Sequence, residues 1–206
     1  DQPRYTGNVA WRAVVPVGKL GDYPPPETAC VWAGKRRHAV TYRLRRGSLA
    51  NFVGVVECAE PGDESWTAVG AREQALKDFK GWNPVILRII DEAPLLMRWS
   101  LYDRPELSKW QDGRVVLLGD ACHPMLPFMA QGAGMAIEDA VVLGRALAGA
   151  GNRAQATEAL RRYEKTRMER TAKIQIGSRG NQWMKGQGNA DWVYGYDAWH
   201  VPLAQA

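Results

Sequence analysis

Cysteine is scarce and unpaired in this sequence. Cys30, Cys58 and Cys122 are odd in number and form no CxxC pair, so neither a disulfide framework nor a thiolate metal site is indicated. No apolar run approaches the length of a membrane span and no signal peptide precedes Asp1, so no membrane partner and a reducing cytoplasm are expected. Internal repeats and low-complexity tracts are also lacking, and no strand runs into a GxGxxG turn, which excludes a dinucleotide fingerprint within these residues. Charge of one sign is nowhere massed. The 27 basic and 22 acidic residues give a net +5, a balance that suits anionic ligands. The densest run, RLRRG at Arg43 to Gly47, reads as a solvated hairpin end, so no nucleic-acid partner is expected. With 46% hydrophobic residues, the 206-residue chain can bury a real core in one domain or in parts of two.

What is present is concentrated between Gly113 and Ala148. Val115 to Leu118 is a continuous apolar run ending in Gly119-Asp120, and it reads as a strand buried on both faces. Residues 121–131 then form a loop containing Pro124 and Pro127. From Gly132 the apolar spacing becomes helical, through Met135, Ile137, Val141, Val142, Leu143 and Leu147, with Glu138 and Asp139 expected to turn outward. A carboxylate at a strand end can accept hydrogen bonds from ligand hydroxyls. Gly132, Ala133 and Gly134 leave the first helical N–H groups uncovered, so a planar ligand with partial negative charge can approach them. A buried strand and a core helix account for the apolar residues, but not for an acid, two prolines and three small residues at the junction.

The stretch GDACHPMLPFMAQGAGMAIEDA resembles the second flavin-binding motif of the single-component FAD-dependent aromatic hydroxylases, which include salicylate hydroxylase and 6-hydroxynicotinate 3-monooxygenase. The resemblance implies that Asp120, of the Gly119-Asp120 pair, holds the ribityl chain of FAD and that Pro127 lies beside the isoalloxazine. It also implies that the backbone of Gly132, Ala133 and Gly134 approaches the pyrimidine edge. Many members carry Asn at the position of Gly134, a difference that touches one peripheral contact. The likeness continues through YTGNVAWRAVVP, YEKTRMERTAKIQIGSRGNQW and DWVYGYDAW, and covers nearly all the chain but only the latter half of a family member.

Ahead of this stretch, Val9 to Val15, Cys30 to Ala33, Ala39 to Leu44 and Phe52 to Val56 are short β segments, separated by PPP, GKRR and RGS turns, and antiparallel pairing is expected. Two short helices follow, from about Arg72 to Phe79 and from Pro84 at N1 to Glu92, then a strand from Leu95 to Tyr102. The block resembles the family's substrate-binding sheet. Within it His38 and Tyr42 stand four apart, so on a strand they share a face and both can address one ligand, accepting a phenolic proton or binding a carboxylate. Arg12 could anchor a carboxylate or serve a solvated face. His123 either contacts flavin or substrate, or bonds backbone to shape the proline loop.

Ala150-Gly151-Asn152 makes a helix stop, and a further helix runs from about Ala154 toward Ile176, packing through Leu160, Tyr163, Met168 and Ile174 while Arg161, Arg162, Arg167 and Arg170 mostly face water. The tail aromatics Trp183, Trp192, Tyr194, Tyr196 and Trp199 wrap the protein's own surface or a homodimer partner. The expected fold class is α+β: an antiparallel substrate-domain sheet plus the last strand and helices of an α/β flavin-binding domain whose first half is missing. The expected blocks are 1–110, 111–150 and 151–206. Because the family's ADP-binding opening is absent, these residues are expected to be the carboxyl-terminal portion of a longer enzyme, joined by an amino-terminal nucleotide-binding half on the same or a separate chain. The resemblance implies an FAD-dependent monooxygenase. In such an enzyme, the resemblance further implies, NADH or NADPH reduces the flavin, O₂ forms a flavin hydroperoxide, and a hydroxylated aromatic or pyridine carboxylic acid is hydroxylated. A non-catalytic ligand-binding module that needs a separate nucleotide half is the alternative.

Overall fold

The computed structural model describes residues 2–62, 65, 67–180 and 190–205; Trp183 lies outside the described residues. The chain divides into two compact units, Tyr5–Tyr102 and Asp1–Arg4 with Asp103–Ala206. The architecture is α+β, as the alternation of short β segments and helical spacings predicts.

In the first unit, β1 (Arg4–Pro16), β2 (Cys30–Gly34), β3 (Arg37–Leu44), β4 (Leu49–Glu57) and β5 (Met97–Asp103) form one sheet in the order β2-β3-β4-β1-β5. The pairs β2–β3, β3–β4 and β1–β4 are antiparallel, in a register that sets His38 against Val55, Tyr42 against Asn51 and Val14 against Asn51. The RGS turn between β3 and β4 places Arg45, Arg46 and Gly47 at positive φ, and the two arginines are exposed, as a solvated hairpin end requires.

Alternate residues of the sheet give it two different faces. Trp11, Ala13, Ala39, Ala50 and Phe52 join Phe79, Ile86, Ile89 and Ile90 in a single buried cluster. The helices that supply the latter are α1 (Arg72–Asp78) and α2 (Pro84–Glu92). Local signals start α2, with Pro84 at N1 and the Asn83 carboxamide oxygen accepting from the Val85 N–H at 2.9 Å. Its three isoleucines are fully buried, each worth about 1.5–3 kcal/mol of apolar transfer. Gly54 makes the close approach possible, because a Cβ there would lie 2.5 Å from the rings of Phe52 and Phe79. The indole N–H of buried Trp11 donates to Asp78 at 2.8 Å, so that donor is paired inside the core.

The second unit is built on α3 (Gly132–Leu147) and α4 (Arg153–Ser178), followed by the short α5 (Asp191–Tyr194). Asn152 caps α4 by accepting from the Gln155 N–H at 3.0 Å, so the AGN stretch starts the next helix as well as ending the last. Leu160, Tyr163 and Ile174 are buried as their spacing predicts. The arginines do not all face water: Arg167 is fully buried and the Arg170 side chain is 11% exposed, because each meets the acid pair Glu138-Asp139 of α3. Periodicity hides this, since a charged residue is read as solvated unless its partner on another helix is known.

Val115–Leu118 also differs from expectation. Val115–Val116 (β7) pairs antiparallel with Gln111–Asp112 (β6), the Leu117 N–H donates to the Trp110 carbonyl, and Val115 and Leu118 are 67% and 40% exposed. A strand buried on both faces needs parallel neighbours, and among the described residues it has none. The tail lies along its own helices: the Arg145 guanidinium donates to the carbonyls of Ala198 and Val201, and that of Arg170 to those of Trp192 and Val193. Among the described residues no helix is long and apolar enough to cross a membrane.

Candidate functional site

The Gly119–Ala148 segment folds around one buried carboxylate. Asp139, expected to point outward, is fully buried one helical turn after Met135 and on the stripe that continues to Val142 and Ala146. Its Oδ2 accepts from the Gly119 backbone N–H at 3.0 Å and lies 2.6 Å from Nε2 of His123. Its Oδ1 accepts from Arg167 Nε at 2.7 Å. Strand end, proline loop, α3 and α4 are thereby tied at one point. Burial works to raise the Asp139 carboxyl, but the hydrogen bonds with His123, Arg167 and the Gly119 N–H outweigh it and hold the group below the usual carboxylate range. Arg167 is also paired with Glu138 at 2.7 Å, and Tyr163, its ring tilted against that of Trp110, donates to the Leu117 carbonyl.

This hub decides the surroundings. Gly119 sits at φ +61, where a Cβ would come 3.2 Å from that of Ala136, so glycine is needed both for the turn and for the helix packed on it. His123 is 1% exposed and bonded to a carboxylate, not to backbone as one sequence reading had it; its Nδ1 has no hydrogen-bond partner among the described residues. Cys122 is buried and its thiol is pushed up to about 12, by burial and then by the Asp139 charge, so it is not a thiolate nucleophile. Cys122, His123 and Asp139 bring their ligand-type atoms within 4.8 Å of one another. Both Asp139 oxygens are already engaged and Arg167 supplies a positive charge, an environment that opposes a cation.

Around the hub the sequence-predicted flavin residues are presented to solvent. Asp120 is exposed and leads out of the Gly119–Ala121 turn, and a second turn, Pro127–Met129, sets an exposed Pro127 before α3. Asp120 Oδ1 lies 3.8 Å from the position of a Cβ on Gly132, which puts the carboxylate beside the opening of the helix. No side chain caps α3, and its first three N–H groups, of Gly132, Ala133 and Gly134, have no acceptor within the helix. The first helical bond is donated by Met135 to Gln131 at 2.8 Å. Asp120, Pro127, Gly132, Ala133 and Gly134 therefore belong to one small region. It offers an acceptor for hydroxyl donors beside partial positive charge for an electron-rich planar edge. A ribityl chain and an isoalloxazine pyrimidine edge need those two groups, so the residues present fit the flavin end of FAD. A polar cleft of about 290 Å³ elsewhere in this unit is lined by Arg4, Asp103, Glu106 and Arg179 and holds its own ion pairs, Arg4–Asp103, Arg179–Asp103 and Arg179–Glu106.

The other candidates lie on the sheet of the first unit, on the face turned away from α1 and α2. His38 is 6% exposed and Tyr42 half-buried, both on that face of β3. Burial pushes the His38 imidazole below its ordinary value, so the ring is neutral at neutral pH. Arg12 is on the same face, its guanidinium 4.7 Å from the centroid of the Trp99 ring. The sequence reading passed over Asn51, which pairs with Tyr42 across the strands and is 5% exposed. The signal available was its place in LANFVGVVE, a lone amide between core residues.

A family model described as FAD binding domain matches residues 66–176. The chain is 39% identical over 207 residues to 6-hydroxynicotinate 3-monooxygenase of Bordetella bronchiseptica, covering 100% of this chain and 54% of that protein. It is 41% identical over 175 residues to 3-hydroxybenzoate 6-hydroxylase of Klebsiella oxytoca, covering 84% of this chain and 43% of that protein. The crystal structure of CtdE in complex with FAD and substrate 4 superposes with a TM-score of 0.83 at 25% identity, over 96% of this chain and 55% of that one. The chain thus spans about half the length of the relatives it matches. It belongs to the FAD binding domain family, with monooxygenases of hydroxylated aromatic acids among its relatives.

Proposed function

We propose that this chain is the flavin-ring and substrate-binding part of an FAD-dependent monooxygenase acting on a hydroxylated benzoic or pyridine carboxylic acid. NADH or NADPH is the reductant, O₂ the co-substrate and a reducing cytoplasm the setting, and a nucleotide-binding half on the same or a separate chain completes the enzyme. The observation that carries the reading is the exposed Asp120 carboxylate beside the uncapped opening of α3, both fixed by the buried Asp139.

FAD, when bound, supplies the redox and oxygen chemistry. The residues of this chain do the rest. Asp120 would accept hydrogen bonds from the ribityl hydroxyls and so hold that part of the flavin. The N–H groups of Gly132, Ala133 and Gly134, with the positive end of the α3 dipole, favour negative charge on the pyrimidine side. Pro127, at the start of the Pro127–Met129 turn, would keep its stretch of loop rigid where the ring is held. On the sheet, neutral His38 holds the proton of the substrate hydroxyl and so makes the aromatic ring electron-rich, while the Tyr42 phenol orients the same substrate. His123 contributes through Asp139, as a positioning residue for the loop that carries Pro127.

The test is FAD retention by the full-length protein, followed by NADH and NADPH oxidation with and without hydroxylated aromatic acids. Bound flavin and acid-stimulated oxidation are expected. Absence of both would favour a non-catalytic ligand-binding module.

A further inference from the structure

We propose that Asn51 is a substrate-binding residue: its carboxamide N–H donates to the carboxylate of the aromatic acid. The inference rests on the proposed monooxygenase reading and extends it to a group that neither the motif resemblance nor the family match assigns. Asn51 lies between Ala50 and Phe52, which point into the helix-covered core, so its own side chain is on the opposite face of the sheet. Its cross-strand partner there is Tyr42, and His38 lies on the same face, opposite Val55.

Asn51 is 5% exposed, yet its Nδ2 has no hydrogen-bond partner among the described residues. Buried amides without an acceptor are rare in folded proteins, and such an exception calls for a missing partner. An acceptor is missing, and the chemistry around it says which kind. His38 is uncharged and suited to a hydroxyl proton, so it does not compete for an anion. Arg12, on the diagonal from Asn51, adds positive charge to this part of the face; its guanidinium is over Trp99 and forms no ion pair among the described residues. Four residues of β4 separate Asn51 from Val55, the partner of His38, a spacing of roughly 13 Å between backbone rows. One aromatic ring with a hydroxyl at the His38 end and a carboxylate at the Asn51 end would span that separation along the face.

The test is binding of hydroxylated benzoic and pyridine carboxylic acids, 3-hydroxybenzoate and 6-hydroxynicotinate among them, to the FAD-loaded full-length enzyme, followed by the flavin absorbance change. The same titration is run with the decarboxylated counterparts phenol and 2-hydroxypyridine. Asn51→Leu and Asn51→Asp should each weaken acid binding at least tenfold, Asn51→Asp the more, because it adds a like charge. Both should leave phenol and 2-hydroxypyridine binding within twofold and FAD retention unchanged. Asn51→Leu should melt no lower than wild type without substrate, since it removes an amide that has no acceptor. Equal binding of the acids by wild type and both variants, or equal weakening of acids and decarboxylated compounds, would overturn the assignment of Asn51 alone. A wild-type enzyme that retains FAD but binds none of the acids would overturn this inference and the substrate class together.

Discussion

The carboxylate of Asp139 lies 2.6 Å from Nε2 of His123, with the two side chains 0% and 1% exposed. That contact, with the Arg167 and Gly119 bonds to the same carboxylate, joins the proline loop to both long helices. Replacing Asp139 by alanine leaves Arg167 buried with Glu138 as its one acid partner among the described residues, and breaking such a pair costs about 3–5 kcal/mol. Urea unfolding of the full-length protein should show Asp139→Ala less stable by about 3 kcal/mol. A loss below about 1 kcal/mol would mean that the hub is not structural.

The same carboxylate sets an acid limit. Its folded value is depressed, so its contribution is complete above the ordinary carboxylate pKa of roughly 4 and is lost as pH falls through the lower folded value. Wild-type stability should therefore fall more steeply than that of Asp139→Asn below about pH 4. Parallel curves would contradict the assignment.

His38 acts over a different range. Burial lowers its folded value, so below the unfolded pKa of roughly 6.5 the unfolded chain binds the proton first and stability falls with pH. His38→Gln should flatten the dependence of Tm on pH between about 6.5 and 5. An unchanged slope would mean that the ring is not held neutral.

Two glycines of the flavin segment should respond oppositely to alanine. Gly119→Ala, at φ +61 and against Ala136, should cost about 1–2 kcal/mol in thermal unfolding. Gly144→Ala, inside α3 with nothing within 4 Å of the added Cβ, should gain about 0.5–1 kcal/mol. The same sign for both would contradict the backbone account.

What the sequence made legible was what local chemistry controls. Pro84 at N1 after Asn83 sets the start of α2, and the glycine-opened start of α3 and the strand spacing of His38 and Tyr42 follow the same logic. The rest depends on partners distant in sequence. Val115–Leu118 has the composition of a buried strand, but burial comes from neighbours, and Val115 is 67% exposed. Asp139 and Arg167 read as solvated because polarity alone is visible in the sequence, and Asn51 carries no motif that singles it out. Asp139 and Arg167 are instead paired with each other inside, and Asn51 is buried on the sheet.

The most direct measurement is the affinity of the full-length protein for FAD, wild type against Asp120→Ala, by flavin fluorescence after gel filtration. Loss of hydrogen bonds to a charged acceptor is worth about 1.5–3 kcal/mol, so the variant should bind FAD at least about tenfold more weakly. Equal retention by the two proteins would contradict the placing of the flavin at Asp120 and the opening of α3.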